Sequence, residues 1–134
     1  MTDHAAKAAH IDPEKFFMRE ADAEPYSPRG HSGTVNRRLV SPETGATQME
    51  VLIGRIEPGE GASAHLHPGI DQFCWMLEGR ARVEIGSLAR EIGAGECCFF
   101  PADMPHTFTA IGDGPVRVLI CYAPPYGEGA RVEC

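Results

Sequence analysis

The sequence contains no run of ~18 apolar residues, the length a membrane-spanning helix requires. Its opening stretch, MTDHAAKAAHIDPEKFF, carries no apolar segment of ~7 or more residues. A spanning helix and a secretory leader are therefore not expected, and a cytoplasmic protein is. Lysine is scarce: ten of the 12 basic residues are Arg, 19 residues are acidic, and the formal charge is −7. Such a balance gives no general attraction to nucleic acid or to an anionic membrane surface, so neither is expected as a partner. The Arg bias suits fixed recognition of carboxylate or phosphate and is also common in chains from GC-rich genomes. Cysteines are few and odd in number, Cys74, Cys97, Cys98, Cys121 and Cys134, without zinc-ribbon spacing. All but Cys134 lie in apolar strand-like runs, so buried reduced thiols are expected.

What is present is the material of one small domain. The chain has 134 residues, ordinary hydrophobic content at 43%, and 15 Gly with 11 Pro, which call for many tight connections rather than long helices. Residues 1–33 are acidic and poor in apolar residues apart from Phe16, Phe17 and Met18; they read as an N-terminal arm, partly helical or disordered. A short helix over residues 13–20 is expected, with Asp12 as N-cap and Pro13 in the first turn. From Val35 the pattern changes to runs rich in Val, Ile, Phe and Trp, punctuated by Gly and Pro every 8 to 12 residues or so. Strands are expected over 34–40, 50–57, 64–67, 72–78, 81–85, 88–92, 96–100, 106–110 and 116–122. Without βαβ alternation or a helical period, the fold class is all-β, an antiparallel sandwich or barrel over residues 34–126 with a C-terminal tail at 127–134.

The chemistry concentrates in two stretches. In PGEGASAHLHPGIDQFCWMLEG, residues 58–79, His65 and His67 stand at i and i+2, so on a strand both imidazoles project from one face and can chelate a common point. Gln72 follows a Pro-Gly turn, where a hairpin return brings it back beside them. In GECCFFPADMPHTFTA, residues 95–110, His106 heads another strand. Four nitrogen and oxygen donors can converge. Singly they are weak signals, since an HxH pair is as readily two solvated or hydrogen-bonded histidines. Asp71 is an alternative ligand to Gln72, but regular alternation puts it on the opposite face unless a bulge intervenes.

Taken together the two stretches resemble the paired motifs of the cupins, G(x)5HxH(x)3–4E(x)6G and G(x)5PxG(x)2H(x)3N. Gly59, His65, His67, Gln72 and Gly79 keep the spacing of the first; Gly95, Pro101, Asp103, His106 and Ala110 keep that of the second. Three identities depart: Gln72 stands for Glu, Asp103 for Gly and Ala110 for Asn. The resemblance covers about residues 35–125. It implies a cupin-type jelly-roll β-barrel binding one divalent transition metal ion on His65, His67, Gln72 and His106. Imidazole and amide donors suit Zn, Fe, Mn, Ni or Cu rather than Ca.

A His/His/Gln/His shell is neutral and leaves the metal charge uncompensated, which favours anionic ligands. It also departs from the two-His-one-carboxylate set of many iron oxygenases. Similar cupins with Gln at this position isomerise, cyclise or cleave oxygenated substrates without oxygen. The first reading is accordingly a Lewis-acid lyase, isomerase or cyclase acting on a small oxygenated, anionic molecule. The alternatives are a cupin dioxygenase and a non-catalytic small-molecule-binding domain.

Weaker candidates surround the motifs. One of Arg37 and Arg38 can face into the barrel and hold a substrate carboxylate, against the plainer reading of a solvated edge strand. Tyr122 is a candidate general acid, with core packing as its plainer role; Phe100 and Phe108 are read as core. Asp103 and Met104 read as a solvated turn, and His4, His10 and His31 receive no role. Phe73, Trp75 and Leu77 share one strand face, an apolar patch that with the arm motivates the expectation of a homodimer.

Overall fold

In the computed structural model, residues 11–134 are described; His4 and His10 lie outside them. Eleven strands form two antiparallel sheets: β1 (Pro25–Tyr26), β2 (Thr34–Val40), β3 (Glu50–Ile56), β4 (Gly61–Leu66), β5 (Asp71–Glu78), β6 (Arg80–Ile85), β7 (Leu88–Gly93), β8 (Cys97–Phe100), β9 (His106–Ile111), β10 (Val116–Ala123) and β11 (Val132–Glu133). One sheet has the order β1-β2-β3-β10-β5-β8, the other β11-β4-β9-β6-β7. Packed face to face, they make an all-β jelly roll.

Alternation along each strand builds the core. In β5 the side chains of Gln72, Cys74 and Met76 turn inward while Phe73, Trp75 and Leu77 turn out; in β10, Val116, Val118, Ile120 and Tyr122 turn inward. With Leu52, Val83, Phe100 and Phe108 these residues fill the space between the sheets. Each fully buried aliphatic or aromatic side chain contributes about 1.5–3 kcal/mol, so the barrel is held from within. The hairpin from β5 to β6 turns at Gly79, φ +85°, where a Cβ would overlap the Pro115 carbonyl oxygen; only glycine fits that approach.

Two expectations change. The helix over 13–20 is instead two 3₁₀ turns, Pro13–Phe16 and Glu20–Asp22. Asp12 does cap the first, accepting from the Glu14 N–H at 3.1 Å, but neither turn has a buried residue to hold a longer helix together. Among the cysteines only Cys74 is buried; Cys97 and Cys134 are exposed, Cys98 and Cys121 half-buried, and all five are free thiols. β8 is an edge strand, and alternation there turns Cys97 outward.

The described segments on either side of the barrel are tied to it. β1 pairs with β2, and the arm is stitched to the outer sheet face by Arg37, whose Nη1 donates to the Ala23 carbonyl at 2.8 Å, and by an Arg117–Glu20 ion pair at 2.7 Å. At the other end β11 pairs with β4, setting Val132 opposite Leu66 and Glu133 opposite His65.

Candidate metal centre

His65 lies near the end of β4, His67 just beyond it, and His106 opens β9 directly opposite His65. The β4–β9 pairing shifts register between Ala62 and His65. That irregularity lets two residues three apart, Ala62 and His65, both be buried, which strict alternation forbids. His65, His67 and His106 are 2%, 2% and 3% exposed, and one ring nitrogen of each lies within 4.8 Å of the others.

The remaining ring nitrogens are already engaged. Nδ1 of His65 meets the Ser63 carbonyl at 2.7 Å, Nδ1 of His67 the Ala130 carbonyl at 2.8 Å, and Nδ1 of His106 the Met104 carbonyl at 3.1 Å. A carbonyl only accepts, so each Nδ1 carries the proton and each Nε2 keeps its lone pair. Burial keeps the rings neutral: it pushes His65 down to about 4 and His106 to about 3, and lowers His67, with the Arg131 guanidinium adding to the effect on all three. Phe100 stacks on His106 at 4.0 Å between ring centroids, fixing its plane.

Gln72, 7% exposed, turns its Nε2 to the Cys74 thiol at 3.5 Å, leaving Oε1 buried and unpartnered. Nε2 of His67 and of His106 are buried and unpartnered as well. Buried polar atoms left without partners are costly; the three histidines converge, and Gln72 lines the same cavity as His65 and His106. These residues fit a metal ion. Asp71, the carboxylate next door, faces outward and accepts from the Ala102 N–H at 3.0 Å.

Between the sheets lies a cavity with about 20 Å³ of room for the centre of a water molecule, on the order of one water position. It is lined on its polar side by His31, Thr34, Asn36, His65, Gln72 and His106, and otherwise by apolar side chains and Cys74. Among the described residues no carboxylate lines it. His31, which sequence reading passed over, sits with its ring centroid 5.9 Å from that of His65; its Nδ1 is buried without a partner, and burial pushes its pKa down to about 4. No motif position marks it, because the arm is brought there by its isolated bridge to Ala62.

A family model of the cupin domain matches residues 52–122, more than half of the chain. The chain belongs to the cupin family. Over 112 residues it is 30% identical to the polyketide synthase protein CurC of Streptomyces cyaneus, covering 83% of this chain and 73% of that one. The polyketide cyclase RemF of Streptomyces resistomycificus superposes with a TM-score of 0.70 at 22% identity, over 79% of this chain and 77% of that one. The oxalate decarboxylase of Bacillus subtilis, a protein with Mn(II) centres, superposes with a TM-score of 0.68 at 20% identity, over 80% of this chain and 29% of that one.

In this cupin the weaker candidates fall in different places. Arg37 is outside the cavity, since Thr34 and Asn36 take the inward positions of β2 and alternation turns Arg37 to the arm's carbonyls. Arg38 is engaged as well, its Nε 2.6 Å from Glu50 and its guanidinium 4.1 Å from the centre of the Tyr26 ring. Tyr122 stands beside the centre, its ring 5.5 Å from His67, and burial raises its pKa well above the phenol range. Asp103 is more than a solvated turn. At φ +69° it occupies the conformation that the family's usual Gly adopts freely and Asp tolerates. Its N–H donates to the His67 carbonyl at 3.2 Å and its Oδ1 accepts from the Gly69 N–H at 3.0 Å, tying the two motif loops together. Among the described residues no helix is long and apolar enough to cross a membrane.

Proposed function

We propose that this cupin is an enzyme that holds one divalent transition metal ion on His65, His67, His106 and Gln72 and acts on a small oxygenated, anionic substrate as a cyclase, isomerase or lyase. One observation carries the reading: three buried histidines have their Nδ1 atoms tied to backbone carbonyls while a ring nitrogen of each lies within 4.8 Å of the others. Outer partners of this kind orient ligand rings and raise their basicity. When bound, the metal supplies Lewis acidity toward a carbonyl or enolate oxygen and tolerates a negative charge that the neutral shell does not oppose. Manganese is a suitable occupant alongside Zn, Fe, Ni and Cu, given the imidazole and amide donors. The resemblance to polyketide-synthase proteins favours the cyclase class and a substrate bearing ketone or phenol oxygens.

The chain's own groups divide the remaining work. Tyr122, whose pKa burial raises, keeps its proton at neutral pH and serves as a hydrogen-bond donor rather than a base. His31, neutral at that pH with an unpartnered Nδ1 at the cavity wall, is placed to hydrogen-bond the substrate. The apolar lining excludes water from the reacting centre.

Elemental analysis of the purified protein tests the reading first. One divalent ion per chain is expected, with most of it lost in each of His65→Ala, His67→Ala and His106→Ala while the fold persists. Retention of stoichiometric metal by all three under mild chelation would refute the assignment. A screen of β-keto and phenolic carboxylates with and without oxygen then separates the classes: turnover that consumes oxygen moves the protein to the dioxygenases, and tight binding without turnover makes it a binding domain.

A further inference from the structure

Arg131 is a charged side chain built into the protein rather than onto its surface. Its side chain is 1% exposed, while the Glu133 carboxylate it meets is 61% exposed. Nε donates to one Glu133 oxygen at 2.5 Å, and Nη2 reaches the other oxygen and the Gly30 carbonyl, each at 3.4 Å. Nη1 is buried and has no partner among the described residues. The guanidinium lies over Gly30, where a Cβ would overlap its Nε, Cζ and Nη2. Gly30 holds φ +72°, a conformation suited to glycine, so the seat exists in the backbone itself.

The position of that seat is set by the tail. Ala130, the preceding residue, gives its carbonyl to His67, and Glu133 lies opposite His65 across the β4–β11 pairing. The guanidinium is near enough for its charge to depress the pKa of His31, His65, His67 and His106. Those four rings include every histidine among the described residues. The guanidinium thus stands behind the histidine cluster, outside the lining of a cavity to which no carboxylate among the described residues contributes. Glu50, the one fully buried carboxylate among the described residues, is committed to Arg38 and to the N–H groups of Tyr126 and Gly127. Glu133 offsets the guanidinium's own charge, so the counter-charge for a divalent ion on the neutral ligands must arrive with the substrate. An arginine with one edge fixed on Glu133 and its Nη1 unpartnered is suited to hold an anionic oxygen, since the planar fork is pre-organised.

We propose that Arg131 is the anion-binding residue of this site, its unpartnered Nη1 holding a carboxylate, enolate or phenolate oxygen of the substrate beside the metal centre. This deepens the reading of a metal-dependent enzyme and rests on it for the neighbouring metal, though not for the anion seat itself. It makes the C-terminal segment part of the specificity determinant.

The test titrates acetate into the purified protein, as isolated and after chelation, by calorimetry, for the parent, Arg131→Gln and Arg131→Lys. Metal content and thermal unfolding are measured alongside. Arg131→Gln is expected to keep its metal and its fold and to bind acetate at least tenfold more weakly; Arg131→Lys, retaining charge without the fork, should fall between. Loss in Arg131→Gln that Arg131→Lys partly restores cannot come from a structural defect common to both. Equal acetate affinity in the parent and Arg131→Gln overturns the proposal, whether or not metal is present. Absence of metal from every preparation, with acetate affinity still dependent on Arg131, would instead sink the metal assignment and leave the anion seat standing.

Discussion

His67 and Ala130, 63 positions apart, are joined by a hydrogen bond from the His67 Nδ1–H to the Ala130 carbonyl oxygen at 2.8 Å. The C-terminal segment therefore sets the tautomer of a residue in the HxH motif. Deleting residues 130–134 should lower metal affinity by about 10–100-fold, the usual effect of removing an outer partner of a ligating histidine. Competition with a chromogenic chelator measures it; unchanged affinity would mean that the carbonyl does not orient the ring.

Metal retention should persist well below the pH at which an exposed histidine site fails. A protonated imidazole cannot ligate, and an ordinary histidine is half protonated near pH 6.5. Burial shifts His65 to about 4 and His106 to about 3, so proton competition should begin below about pH 5. The same depression makes the metal-free protein lose stability as pH falls. The unfolded chain takes up protons near 6.5 that the folded chain refuses until about 4, so the loss develops across that window. Desalting at stepped pH with metal analysis checks the first statement, and urea denaturation of the metal-free protein at pH 7 and pH 5 checks the second. Metal release centred near pH 6.5 would contradict the burial argument.

Gln72→Glu should tighten metal binding and weaken anion binding. One added negative charge at ~4 Å and an effective dielectric of ~20 changes an anion's interaction by about 4 kcal/mol before screening. The realised change will be smaller, because a carboxylate at this buried position can protonate. Azide titration of the two proteins reads the difference; identical affinities would show that Gln72 does not set the charge around the metal.

Glu50, 1% exposed, receives Arg38 Nε at 2.6 Å and the backbone N–H groups of Tyr126 and Gly127 at 3.1 and 2.9 Å. Through it β2, β3 and the loop carrying Tyr126 converge, and the Tyr126 ring lies 4.4 Å from that of His67. Glu50→Ala strands those donors and should cost about 2–4 kcal/mol, less than a wholly buried pair because Arg38 is partly exposed. Thermal unfolding tests this, and a change below about 0.5 kcal/mol would discount the clamp.

A homodimer remains our proposal for the assembly. Phe73, Trp75 and Leu77 are 36%, 38% and 37% exposed on the outer face of the larger sheet, with Phe99 at 49% beside them. An apolar face of that kind is commonly an association surface. Light scattering should return twice 14.5 kDa at micromolar concentration, and Trp75→Glu should shift the mass to that of one chain; a parent of 14.5 kDa throughout ends the proposal.

Local pattern alone told a good deal about this protein. Alternating apolar runs between Gly and Pro positions marked nine strands, because a period of two and a glycine-bearing turn are properties of adjacent residues. The same alternation separated Gln72 from Asp71 and put Trp75 outside. The motif spacing made His65, His67, Gln72 and His106 a candidate cluster, since residues two apart on a strand and residues across a hairpin meet by short-range geometry. What the sequence left open depends on contacts between distant segments. Arg37 and Arg38 could be told apart only by which of them found partners, the arm's carbonyls for one and Glu50 for the other. The two-residue strands β1 and β11 carry no periodic signal and exist by pairing with longer neighbours. The isolated His31–Ala62 bridge carries His31 to the cavity wall, and the β11 pairing brings the Ala130 carbonyl to His67 and the Arg131 guanidinium onto Gly30. The histidine pattern is thus local, whereas Arg131 and His31 beside it come from segments flanking the barrel, where only tertiary pairing decides position.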